Sequence, residues 1–330
     1  MTYSSGGLIQ DVDYNGFANS TAGANVNGIW ATGTGDSGYG QTALATVSAG
    51  GTVTATQWAG LVNNISSMAS QTGTTITSRV APTAGNTINI LAALNTDLTN
   101  ITNNRGNAVA SGTQYGTFSG SIAKTTGTGS GSAAWTITFT HTITWASANA
   151  ARYFFNAGGR IKWDVNKTST GQLADAEWND LAGTLVGDIY ITGGTNTQTI
   201  AGTAYTGTTK IGGTGTPGTL ATTVGWYDFT TSDQLIYRQY ADTAPYTGQN
   251  IAINARTAGA GTQLILTTTW NDPGGSGAGS SDVITGGTDT ASPATTITGT
   301  APTTLVTYFP PSTTYLTSTW GTPTIASTVA

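Results

Sequence analysis

With 330 residues, 37% of them hydrophobic and including nine Trp and thirteen Tyr, the chain can bury a large core although only 8% of its residues are charged. The absence of cysteine excludes disulfides, thiolate metal sites and cysteine nucleophiles. A net charge of −5 with ten scattered Lys and Arg offers no basic patch, so nucleic acid is not an expected partner.

No apolar run reaches the roughly 18 residues of a membrane span. Met1-Thr2-Tyr3-Ser4-Ser5-Gly6-Gly7 lacks the basic and apolar regions of a signal peptide, so neither membrane insertion nor signal-directed secretion is expected. The first fifty residues are punctuated by glycine, and Asp11 is placed to cap a short helix through Ala18. Thr54-Ala55-Thr56-Gln57 has the form of a capping box, followed at helical spacing by Trp58, Leu61, Val62, Ile65 and Met68 and then by Gly73 as a stop signal. After a turn at Pro82 to Gly85, residues 86–105 carry a stripe of Ile88, Leu91, Leu94, Leu98 and Ile101. That stripe predicts a second helix, packed back on the first as a hairpin or forming an oligomer seam between chains.

From about residue 106 the pattern turns to β. Trp135, Ile137, Phe139, His141, Ile143 and Trp145 alternate with threonines, which predicts a long half-buried strand. Residues 151–159 read as a corner, and Arg160 to Asn166 as a second strand pairing with the first. A helix is expected over Leu173 to Val186. Further strands are expected at Asp188–Thr192, Val224–Thr230, Leu235–Tyr240, Ile251–Arg256, Gln263–Trp270, Leu305–Phe309 and Tyr315–Trp320. The expected fold is mainly β: a smaller α-rich attachment or oligomerisation region at 1–110, then an antiparallel β-sandwich or jelly-roll-like domain at 111–330.

Candidate chemistry is sparse. Gly33-Thr34-Gly35-Asp36-Ser37-Gly38 matches the dinucleotide fingerprint in spelling, but no βαβ pattern surrounds it, so it reads as a turn. His141, the single histidine, falls on the apolar face of its strand, where a core or subunit-contact role is expected and a multi-histidine metal site is excluded. Asp175, Glu177 and Asp180 sit near a helix start, where negative charge suits the macrodipole. Asp272, Asp282 and Asp289 follow no EF-hand spacing and read as turn residues. Trp226, Tyr227, Tyr246, Trp270 and Trp320 lie near predicted strand ends, as core or interface groups or as platforms for a sugar ring. No catalytic residue, cofactor site or metal site is assigned.

Five blocks then carry a resemblance. They are Leu8-Ile9-Gln10 with Asp13-Tyr14-Asn15, Gly35-Asp36-Ser37-Gly38-Tyr39-Gly40-Gln41, Thr52-Val53-Thr54-Ala55-Thr56-Gln57-Trp58-Ala59, Ala151-Arg152-Tyr153-Phe154-Phe155-Asn156-Ala157-Gly158-Gly159 and Trp320-Gly321-Thr322-Pro323. Spread over nearly the whole chain, they resemble virion structural proteins of tailed bacteriophages, especially cyanophages, of the tail-fibre or baseplate-associated kind. The resemblance implies a place in the particle and a symmetric oligomer, a homotrimer here. The expected partners are copies of itself and other phage tail or baseplate proteins, and the carbohydrate-recognition reading adds host cell-surface glycan. The resemblance brings no catalytic residue and no cofactor. Fibre, baseplate and head-decoration roles, and a carbohydrate-recognition module, stay open at this point.

Overall fold

The computed structural model describes residues 10–19, 24–85, 93–108, 118–124, 128–129, 135–168, 173–194, 196–200, 202–244, 246–273 and 300–330. The chain begins with helices α1 (Asp11–Asn19), α2 (Val26–Trp30), α3 (Ala55–Thr72) and α4 (Leu94–Asn103). Helix α3 starts where its capping box lies: Thr54 Oγ1 accepts from Gln57 N at 3.3 Å and Gln57 Oε1 accepts from Thr54 N at 2.8 Å. It stops at Gly73, whose φ of 63° is the left-handed conformation a glycine adopts without strain. Trp58, Leu61, Val62, Ile65 and Met68 are all buried.

Helix α4 packs against α3 and buries Leu94, Leu98 and Ile101 inside the chain. These three stripe residues therefore build a hairpin within one subunit and are not free to form a seam between chains. Ile88 and Leu91 lie outside the described residues. Among the described residues α4 starts only at Leu94, and Asp97 on its inner face meets Arg79 in a buried ion pair at 2.5 Å.

The remainder supplies β1 (Phe118–Ala123), β2 (Thr128–Gly129), β3 (Trp135–Thr144), helix α5 (Ala148–Asn156), β4 (Arg160–Asn166) and helix α6 (Leu173–Asp180). A π-helical stretch at Leu181–Leu185 continues α6. Then come β5 (Asp188–Ile191), β6 (Gln198–Ile200), β7 (Thr203–Tyr205), β8 (Thr208–Ile211), β9 (Thr219–Leu220), β10 (Gln234–Tyr240), β11 (Asn250–Ala258), β12 (Gln263–Asp272), β13 (Thr303–Phe309) and β14 (Thr324–Val329). All pair antiparallel. One sheet runs β1-β13-β4-β5-β8 and the other β14-β3-β12-β11-β10-β9, with β2 on the edge of β3 and β6–β7 a separate hairpin. The sheets face each other across buried apolar side chains: Trp163 of β4 lies 6.3 Å, ring to ring, from Tyr237 of β10 in the opposite sheet. The protein is thus mainly β, with a helical N-terminal region against a sandwich.

Strand β3 forms as its alternation predicts, buried and half-buried in strict turn, in register with β12 from Trp135 opposite Asp272 to Thr144 opposite Gln263. It does not pair with β4. The residues between them are a helix and not a corner, because Ser147 Oγ caps Ala150 N at 3.0 Å and Ala151, Phe154 and Phe155 then fall on one buried face. That helix carries the chain across the sandwich, so β3 and β4 belong to opposite sheets. Two other predicted strands are absent. At Val224–Thr230 the chain forms a 3-10 turn, Trp226–Asp228, held by Gly225 N donating to Asp228 Oδ2 at 3.0 Å. Tyr315–Trp320 is irregular and inserts Leu316 and Trp320 into the core. Strand β14, which the sequence pattern does not announce, completes the edge of β3.

The buried apolar side chains of the helical region, from Tyr14 to Ile101, and those of the sandwich, to Trp320, form one contiguous cluster. The two regions therefore share a core.

Candidate functional site

The glycine-rich loop at 33–41 is wedged between α5 and the segment before Trp320. Gly38, at φ 94°, has no room for a side chain: a Cβ there would stand 2.1 Å from Thr32 O. The loop is therefore a tight turn that brings backbone carbonyls to side chains of α5 and shows no phosphate-binding βαβ setting. Asn156 Nδ2 donates to Gly38 O at 2.9 Å and Arg152 donates to Thr32 O at 2.8 Å. Gly40 packs on the Tyr153 ring, where a Cβ would lie 2.4 Å from it. On the other side Thr319 Oγ1 donates to Tyr39 O at 2.6 Å, and Gln41 makes paired bonds to the backbone of Thr317.

A cleft of about 430 Å³ opens beside this joint. Its walls come from five separate segments: Asp36 from the glycine-rich loop, Gly106 after α4, Asn156 at the end of α5, Asn196 and Gln198 around β6, and Tyr227 with Asp228 from the 3-10 turn. The Tyr227 ring lies over Gly193 and Gly194, since a Cβ on Gly193 would meet it at 3.0 Å. Its hydroxyl donates to Asn156 Oδ1. Burial, reinforced by the nearby Asp36 carboxylate and opposed by Arg152 and Arg105, pushes that hydroxyl well above the usual phenol range, so it stays protonated. Its sequence neighbour Trp226 stacks on Phe155 at 5.2 Å and 19°, and both touch Trp145. The Tyr227 ring itself remains 37% exposed.

The polar atoms of the cleft divide into used and unused. Asp36 Oδ2 takes Arg105 Nη2 at 2.6 Å and Asn196 Nδ2 at 3.4 Å, and Asp228 Oδ2 takes Gly225 N. Gln198, only 3% exposed, donates Nε2 to Phe155 O at 3.0 Å, while its Oε1 has no partner. Arg105 and Arg152 both turn to protein oxygens at the margin, and no Lys or Arg is among the described lining residues.

Of the aromatics singled out from the sequence, Tyr227 alone lines this cleft. Trp226, Trp270 and Trp320 are buried, Trp270 stacked on Trp178 at 5.4 Å, so within the chain they are core groups and cannot stack on a ligand. Tyr246 is half-buried in a turn closed by its own N–H to Thr243 O. Sequence reasoning missed Asp36, Asn156, Asn196, Gln198 and Asp228 as a set. Asp36 and Asn156 do fall in two of the resemblance blocks, but no spacing links them to the others.

Two further groups concern chemistry. Glu177, Asp180 and Asp242 bring carboxylate oxygens within 4.8 Å of one another, among the described residues the arrangement best suited to a cation. Burial raises the Glu177 carboxyl, against hydrogen bonds from Thr243 and with Asp180 and Asp242 adding to the rise. The side chain of Asp175, and Asp282 and Asp289 entirely, lie outside the described residues. Asp272 is buried and accepts from Gln249 Nε2 at 2.8 Å. His141 is fully buried in β3 with Nδ1 at 2.8 Å from Ser327 Oγ of β14, and burial lowers its pKa to about 4. It is a neutral core histidine, with no carboxylate hydrogen-bonded to it among the described residues.

In comparisons with known proteins, the chain matches no family model, no curated protein and no solved structure.

Proposed function

We propose that this chain is a non-catalytic structural component of a tailed-bacteriophage virion, a tail fibre or baseplate-attached protein acting in host attachment as a homotrimer. The observation that supports this reading most is where the resemblance blocks fall. Tyr14 of the first block meets Trp58 of the third, ring centroids 5.4 Å apart and edge-on. The second meets the fourth through Asn156 and Tyr153, and α3, which grows out of the third, meets the fourth through Gln71 Nε2 donating to Ala157 O at 2.9 Å. Blocks more than a hundred residues apart thus form one joint between the helical region and the sandwich.

The chemistry is compatible with it. Both cleft carboxylates carry structural bonds, and a surface of low charge rich in Thr and Gly suits close packing between copies. Antibody labelling of intact particles in the electron microscope tests the location, with label on the tail expected and label confined to the head overturning the fibre and baseplate reading. Size exclusion with light scattering tests the assembly: a trimer is expected, and a stable monomer at micromolar concentration overturns it.

A further inference from the structure

We propose that the cleft beside Tyr227 is a binding site for a neutral saccharide. The proposal deepens the attachment reading and rests on it only for the source of the ligand, a glycan of the host surface. The site chemistry stands by itself.

Several acceptors of the cleft are unused. Asp36 and Asp228 each engage only one carboxylate oxygen, and the second oxygen of each has no protein partner among the described residues. Gln198 Oε1 is buried and unpartnered. The Asp36 and Asp228 side chains are partly open to solvent, so a ligand that donates hydrogen bonds to their free oxygens gains charge-assisted contacts there. Such a ligand brings donors. An anion brings acceptors, and it finds Arg105 already paired with Asp36 and the Asp228 carboxylate without an ion pair among the described residues, so a neutral ligand is preferred over uronates, sialates and phosphate esters. A pyranose brings hydroxyl donors around its rim and an apolar C–H face. The exposed ring of Tyr227, packed on Gly193 and Gly194 and held in orientation by its hydroxyl bond to Asn156, is a flat surface for that face. At about 430 Å³ the cleft lies in the lower part of the range for small-molecule pockets, about 300–1,000 Å³, which suits a short saccharide and not a long chain.

The test uses the purified 330-residue chain on an array of neutral mono- and oligosaccharides beside uronate- and sialate-bearing ones, followed by titration calorimetry with the best neutral binder. Binding of a neutral saccharide is expected. Tyr227→Ala is expected to weaken it about tenfold or more, while Tyr227→Phe, which keeps the ring, holds affinity within about threefold. Asn196→Ala, at an exposed position whose loss does not threaten folding, is expected to weaken it about threefold or more even if Tyr227→Ala does not fold. Tyr315→Ala, an exposed tyrosine elsewhere, is expected to leave it unchanged. Binding of acidic glycans only, binding of Ca²⁺ at the cleft in place of sugar, or neutral-sugar affinity indifferent to both Asn196→Ala and whichever Tyr227 variants fold overturns the proposal. None of those results bears on where the protein sits in a particle, which the antibody labelling decides separately.

Discussion

Trp163 Nε1 donates to Thr268 Oγ1 at 2.7 Å, with both residues fully buried, and this bond joins β4 of one sheet to β12 of the other through the middle of the sandwich. A side-chain hydrogen bond in such a place is worth little while made and much when half of it is removed, because the orphaned indole N–H has no water to turn to.

Thr268→Val keeps the shape and removes the acceptor, so it is expected to cost about 1–3 kcal/mol in chemical denaturation. Thr268→Ser keeps the hydroxyl and loses a buried methyl, with an expected cost nearer 1 kcal/mol. Equal losses for the two would mean that the bond contributes nothing beyond packing.

Stability is expected to fall with acidification through the His141 imidazole. Its pKa is about 4 in the folded chain, against about 6.5 unfolded, so between those values the unfolded state binds the extra proton. The contribution is present in full above about pH 6.5, declines as pH falls and is gone below about 4, amounting to about 3 kcal/mol. Carboxylates titrate in the same range, so the measurement is the difference between wild type and His141→Leu in denaturant midpoints from pH 7 to 4, and the variant is expected to lose less.

Gly38→Ala is expected to destabilise by about 2–3 kcal/mol, since the new Cβ meets Thr32 O at 2.1 Å and the backbone holds a left-handed φ of 94°. Gly35 also has a positive φ, 57°, but open space around it, so Gly35→Ala bears the conformational cost alone, about 1 kcal/mol. Thermal unfolding of the two variants separates the close approach from the dihedral.

Thr54→Ala removes one half of the capping box on α3 and is expected to cost about 1 kcal/mol. Thr54→Asp keeps an acceptor at the N-cap and is expected to restore most of it. Circular dichroism thermal melts of the three proteins check the order.

Helix α3 was legible because its signals act over three or four residues: Thr54 and Gln57 bond each other's backbone, and the apolar stripe recurs within each turn. Strand β3 was legible for the same kind of reason, one face apolar and the other threonine. The pairing of β3 with β4 was misread because alternation tells which face of a strand is buried and nothing of which strand lies beside it. The cleft was invisible for a stronger reason, since its walls meet only after α5 has crossed the sandwich and the loop at 33–41 has closed on it.

Local hydrogen bonding and periodicity, which depend on neighbours in the chain, were thus enough to establish a helical first third, a strand-rich remainder and the place of His141 on the apolar face of its strand. Which strands share a sheet, and why Asp36, Asn156, Gln198 and Tyr227 face one space, was decided by burial between segments far apart in sequence. Such burial follows the fit of whole surfaces, and no run of residues encodes that fit by itself.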